Sequence, residues 1–168
     1  GGVDLLRSVA LGEAIDIGRE VVVIGGGNVA YDVARTVVRQ IAFDAARTAA
    51  RLPGTAGVRL VSLEGLEDMP ADTVEIAEGD EEGVARMNGW GPVEIERDHE
   101  GGVRAVHLRR CLRVYDDARR FAPVFDDGDR LRLECDTVLL SVGQAPVLSF
   151  LADGGADIEM ARPGWPRV

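Results

Sequence analysis

The stretch from Glu20 to Asp32, EVVVIGGGNVAYD, narrows the choice of folds more than any other part of the chain. Val21 to Ile24 form a wholly apolar, β-branched run, the pattern of a parallel strand buried on both faces. Three glycines follow. Beyond them Ala30, Val33, Ala34, Val37, Val38, Ile41, Ala42 and Ala45 recur three or four apart, which predicts a helix from Asn28 to about Leu52, stopped by Pro53-Gly54. Strand, glycine turn and helix are contiguous, the context a dinucleotide-binding fingerprint requires, and Gly25, Gly27 and Ala30 match its G-x-G-x-x-G/A form. Gly25 permits the tight turn, Gly27 leaves room for a pyrophosphate, and small Ala30 lets the helix pack closely on the strand. The helix N-terminus presents free N–H groups and a positive dipole end to the phosphates.

The rest of the chain extends an α/β pattern. Val58 to Leu63 read as a second strand closed by Glu64, the position that faces the adenosine ribose in a dinucleotide fold. A carboxylate there accepts from both ribose hydroxyls and repels a 2′-phosphate, so Glu64 points to NAD(H) over NADP(H); the other reading is an exposed strand-end glutamate. The interval from Gly27 to Glu64 exceeds the usual ~20 residues, so the helix or its following loop must be extended. Thr73 to Glu82 are expected to be helical, with Asp72 as N-cap, Glu75 completing a capping-box pattern, and the acids of Glu78 to Glu82 on a solvated face. Then the period changes to two. Val84 to Glu96, Val103 to Tyr115 and Leu131 to Glu134 predict an antiparallel three-stranded meander, with a turn at Asp98 to Gly102. Asp136 to Gln144 return to a buried parallel strand, whose end would set Gly143 and Gln144 at the crevice beyond the carboxyl ends of the strands. The expected fold is therefore a Rossmann-like parallel sheet flanked by helices and crossed by that meander.

Composition excludes several alternatives. A formal net charge of −10 disfavours nucleic-acid phosphate as a partner. No segment reaches the roughly 20 apolar residues of a membrane span. Cys111 and Cys135 form no C-x-x-C pair and read as buried thiols in a reducing cytosol, and neither His99 nor His107 has a partner at metal-ligand spacing, so no metal site is expected. Trp90, within Gly89-Trp90-Gly91-Pro92, reads as a packing anchor at a strand bend rather than a nicotinamide shelf. Arg119 and Arg120, beside Asp116 and Asp117, read as exposed ion pairs.

Taken in order, the motifs VIGGGNVAxDxAR (23–35), LE (63–64), MPA (69–71), EEGV (81–84), GP (91–92), RFxP (120–123) and DTVLLSVGQ (136–144) resemble the NAD(P)-binding domain of FAD-dependent pyridine-nucleotide oxidoreductases, in the glutamate synthase small-subunit-like branch. The resemblance covers nearly the whole chain. It implies that Gly25, Gly26, Gly27, Asn28, Val29 and Ala30 hold the pyrophosphate, Glu64 the adenosine ribose, and Gly143 with Gln144 the nicotinamide ribose. Related enzymes also carry an acid near the nicotinamide at the position of Asp32; an acid favoured by the helix dipole is the equal alternative. NADPH-using members tend to place arginines after the second strand, where this chain has Ser62-Leu63-Glu64-Gly65. The FAD domain's own glycine motif and its later Gly-Asp segment are absent, and the chain begins at Gly1, so it reads as an excised portion of a cytoplasmic enzyme. The resemblance then implies a linker and short helix at 1–18, in which Leu5, Leu6, Val9 and Leu11 can pack, a dinucleotide domain at 19–150, and a segment at 151–168 crossing back to the missing FAD domain. It implies no catalytic side chain here, since hydride passes from nicotinamide to flavin, and it leaves an iron–sulfur domain or subunit as a further partner. The competing class is a Rossmann-type regulatory module that senses a nucleotide without redox chemistry; a methyltransferase explains neither Gly143-Gln144 nor the meander.

Overall fold

The computed structural model describes residues 1–48, 57–143, 160–162 and 165–166. Its centre is β1 (Glu20–Ile24), which pairs in parallel with β2 (Gly57–Ser62) on one side and β7 (Thr137–Leu140) on the other. β3 (Ala85–Asn88) adds to β2, giving the order β3-β2-β1-β7, all parallel. Val21, Val22 and Val23 are completely buried because both faces of the sheet are covered. Val21 and Val23 meet the helices, where α2 (Asn28–Thr48) brings Ala30, Val33, Ala34 and Val37 and α1 (Gly2–Ala10) brings Leu5. Val22 and Ile24 face the opposite layer with Val61, against Val106, Leu108 and Cys135. That opposite layer is the antiparallel meander of β4 (Trp90–Arg97), β5 (Val103–Tyr115) and β6 (Phe121–Glu134), inserted between β3 and β7. Far along the chain, β8 (Met160–Arg162) and β9 (Trp165–Pro166) form a small antiparallel pair.

Several expectations are corrected. The strand predicted from Val84 to Glu96 is two strands in two sheets, because Gly89 takes φ +74° and turns the chain out of the parallel layer. The switch is fastened by Gly89 N–H donating to the Glu64 carbonyl (3.0 Å) and by Cys111 N–H donating to the Gly89 carbonyl (2.8 Å). The third meander strand starts at Phe121, not Leu131; its register jumps from Arg130 opposite Arg109 to Asp126 opposite Arg110, so the intervening residues bulge. Leu11 is exposed rather than packed. α2 ends at Thr48 in the described residues, and its predicted continuation to Leu52 lies outside them.

α3 (Thr73–Glu81) begins as predicted, but the capping box does not form. Asp72 makes no side-chain cap, its carboxylate accepting instead from Asn28 Nδ2 at 2.8 Å. Glu75 turns to Arg35 (2.9 Å). The acidic run is a solvated face only in part: Asp80 and Glu81 are exposed, but most of its acids are paired. Arg35, only 13% exposed, also reaches Glu78 and Glu82, Arg39 joins it at Glu82, and Arg86 holds Asp80 at 2.6 Å. These arginines fasten α3 to α2 and to β3. The Arg39 and Arg35 hydrogen bonds hold the Glu82 carboxyl below the usual carboxylate range. A depressed folded-state pKa means that this stabilisation is present above the unfolded value of 4.5 and is lost as pH falls through the lower folded value. Arg35→Met is therefore expected to cost about 2 kcal/mol at neutral pH, leaving three acids without their shared cation. Urea denaturation of the variant should also show a shallower loss of stability on acidification than the parent chain.

Candidate dinucleotide site

A groove of about 620 Å³ lies over the carboxyl ends of β1, β2 and β7, where strand order reverses about β1. Its floor is Ile24, the glycine turn and Val29; its sides are Glu64 and Ser141 to Gly143. The glycines have different reasons to be there. Gly25 has φ +154°, and a Cβ on it would lie 2.5 Å from the Ser141 carbonyl oxygen and 3.0 Å from Ala30 Cβ. A Cβ on Gly26 would lie 2.7 Å from Glu64 Oε2, so the carboxylate rests against the turn. A Cβ on Gly27 would meet no protein atom within 4 Å, and its φ is not in the left-handed region.

Ala30 is completely buried and its N–H donates to the Gly27 carbonyl at 2.9 Å, closing the first turn of α2 directly on the loop. The Asn28 side chain is committed elsewhere. Its Nδ2 donates to Asp72 and its Oδ1 accepts from Asp72 N–H, both at 2.8 Å, which ties the start of α2 to that of α3. What Asn28 offers a phosphate is its backbone N–H, with the other first-turn amides of α2. Glu64 is aimed by its own carbonyl, which accepts from Ser62 Oγ (3.1 Å), Gly89 N–H (3.0 Å) and Asn88 Nδ2 (3.4 Å). Glu64 is the one charged side chain among the described lining residues.

Of the remaining sequence candidates, Gly143 lines the rim with φ +54°, Asp32 is exposed and outside the groove lining, and Gln144 lies outside the described residues. Sequence reasoning missed the wall that the meander supplies. Trp90, Pro92 and Phe121 line the groove with Leu63 and Pro70. Trp90 thus packs, as expected, but also borders the site, and the Gly-Pro and Arg-Phe-x-Pro motifs were the signal that marked this wall. Elsewhere, Arg120 pairs with Asp116, while Arg119 reaches Asp68 at 3.8 Å rather than Asp117. His107 lies 3.0 Å from Glu96, and His99 is exposed. Cys111 and Cys135 are buried, free thiols, both pushed up by burial. No group of three potential metal ligands occurs among the described residues, and no helix there is long and apolar enough to cross a membrane.

The three-layer fold, with a meander between the third and fourth parallel strands, is that of the FAD/NAD(P)-binding oxidoreductases. The oxidoreductase FprA of Mycobacterium tuberculosis superposes with a TM-score of 0.57 at 23% identity, over 77% of this chain and 40% of that one. In sequence the chain is similar to part of several oxidoreductase subunits, a glutamate synthase small chain among them. It is 34% identical to the NADPH-Fe(3+) oxidoreductase subunit beta of Geobacter sulfurreducens over 160 residues, which is 94% of this chain and 22% of that protein. It is 29% identical to the glutamate synthase [NADPH] small chain of Azospirillum brasilense over 150 residues, 83% of this chain and 28% of that protein. The chain thus spans between a fifth and a third of the length of these relatives. No family model matches it.

Proposed function

We propose that the groove takes a nicotinamide adenine dinucleotide, with the pyrophosphate over Gly25 to Ala30, the adenosine ribose at Glu64 and the nicotinamide ribose toward Gly143 and Gln144. In this reading residues 19–150 are the dinucleotide domain of a cytosolic FAD-dependent oxidoreductase, and residues 1–18 and 151–168 lead to and from its flavin domain. When bound, the nicotinamide would supply a hydride to a flavin of that flavin domain, and an iron–sulfur domain or subunit would be a further partner. The chain's own residues bind and orient; the turn's amides and the α2 dipole meet the phosphates, and Glu64 meets the ribose hydroxyls. The observation that carries the reading is Gly27. The fold requires nothing of a glycine there, yet it lies in the groove at the point where a side chain would obstruct a pyrophosphate.

Glu64 also supports NAD(H) over NADP(H), because a carboxylate against the glycine turn repels a 2′-phosphate and Leu63 to Leu66 contain no cation to neutralise one. The names of the relatives above carry NADPH, which makes the preference a direct test of Glu64. Calorimetric titration of the chain with NADH and NADPH is expected to favour NADH by about tenfold, and Glu64→Ala to erase the difference. Tighter binding of NADPH by the parent chain would overturn the assignment of Glu64 and leave the groove itself in place.

A further inference from the structure

The phosphate and ribose contacts use the glycine turn and Glu64 but leave the aromatic wall from the meander without a role. Resting on the dinucleotide reading, we infer that Trp90 is the shelf on which the adenine ring stacks, with Pro92 and Phe121 closing the slot. Sheet order sets which end of the ligand reaches it. Trp90 follows directly on β3, the strand outside β2, whereas Gly143 follows β7 on the far side of β1. Across the carboxyl ends the groove therefore runs from Trp90 through Glu64 and the glycine turn to Gly143. A dinucleotide whose pyrophosphate lies at the turn and whose adenosine ribose lies at Glu64 must carry its purine beyond Glu64, toward Trp90, and its nicotinamide half the other way.

The shelf is built before any ligand arrives. The Arg110 guanidinium covers the indole, 4.0 Å from the ring centroid. That arginine is itself held by Asp129 at 3.1 Å and donates to the Asn88 carbonyl at 3.4 Å. An indole braced by a cation loses little rotamer freedom on binding, and a purine offers it an apolar π-face to cover. The flanking glycines serve the same wall. Gly89 makes the turn between sheets, and a Cβ on Gly91 would lie 2.7 Å from Phe125 Cε1 and 2.9 Å from Leu63 Cδ2, so only glycine lets Leu63 approach the meander this closely. Phe121, 65% exposed at the rim, gives the slot its other aromatic edge.

Because the shelf reads the base, it serves any adenylate and is indifferent to the nicotinamide half. The test titrates the chain calorimetrically with 5′-AMP, NADH and nicotinamide mononucleotide, comparing the parent with Trp90→Leu and Trp90→Phe. Trp90→Leu is expected to weaken AMP and NADH each by about tenfold, Trp90→Phe by less than about threefold, and neither to change the mononucleotide. A readout independent of these variants uses Trp165→Phe, which leaves Trp90 as the single indole: AMP should quench its emission and the mononucleotide should not. Should Trp90→Leu fail to fold, this comparison decides alone. Parent-like AMP affinity in Trp90→Leu, or no quenching by AMP while NADH still binds, overturns the shelf and leaves the dinucleotide reading standing. A parent chain that binds neither AMP nor NADH removes both.

Discussion

Gly27→Ala is expected to weaken NADH binding about 100-fold, a loss of about 2.7 kcal/mol, while changing the stability of the chain by no more than about 0.5 kcal/mol. The two halves of this expectation have separate causes. On the side of the protein, a methyl group at Gly27 meets nothing within 4 Å and the backbone is not left-handed, so no clash or strain follows. Gly27 immediately precedes α2, and its carbonyl accepts from Ala30 N–H at 2.9 Å. Alanine is a poorer residue than glycine at such an N-cap by roughly 0.5–1 kcal/mol, and the reduced freedom of the unfolded chain offsets about 0.4–1 kcal/mol of that. On the side of the ligand, the methyl stands between the pyrophosphate and the first-turn amides, and backing the phosphate away forfeits those hydrogen bonds together. Urea denaturation and calorimetry on one preparation separate the two effects. An alanine variant that binds NADH as the parent does would mean that no phosphate approaches the turn.

How far the sequence revealed this site follows the distance over which each part is encoded. β1, the glycine turn and the buried face of α2 were legible because each is a local pattern: an apolar β-branched run, three adjacent glycines, and Ala30, Val33, Ala34 and Val37 at helical spacing. Glu64 was legible for the same reason, as the residue that closes a strand. The switch at Gly89 was legible only as a bend: Gly89-Trp90-Gly91-Pro92 breaks the alternation between Met87 and Val93, yet nothing local says that the chain leaves one sheet for another there. β6 was hidden because Asp126, Asp127, Gly128 and Asp129 look like a loop, and the strand has no fully buried face there to impose alternation. Trp90 and Phe121 come to line the same groove as Glu64 only after the chain has changed sheets and returned through a hairpin, so no local spacing could join them. The acids of α3 failed likewise: their cation, Arg35, belongs to another helix, and a run of like charge says nothing of what faces it.

Gly25→Ala is expected to do the reverse of Gly27→Ala, costing about 3 kcal/mol of stability before any ligand is considered. A residue with a side chain at φ +154° is strained, and the added Cβ would lie 2.5 Å from the Ser141 carbonyl oxygen and 3.0 Å from Ala30 Cβ. Neither neighbour can give way cheaply. Ser141 N–H donates to the Ile24 carbonyl at 2.8 Å, continuing the β1–β7 ladder, and Gly25 N–H donates to the Val61 carbonyl at 2.9 Å, continuing the β1–β2 ladder. Moving the turn away from Ser141 therefore pulls on both ladders at the centre of the sheet, and moving Ala30 lifts α2 from the strand it covers. For a chain of this size such a loss corresponds to a fall of about 6–12 °C in Tm, or about 1.5 M in the urea midpoint. Its NADH affinity, measured where the variant is still folded, should fall as well, because the amides aimed at the phosphates are carried by the same turn. A Tm within about 2 °C of the parent would show that the turn can shift without disturbing β7, and that Gly25 is not what fixes the glycine loop to the sheet.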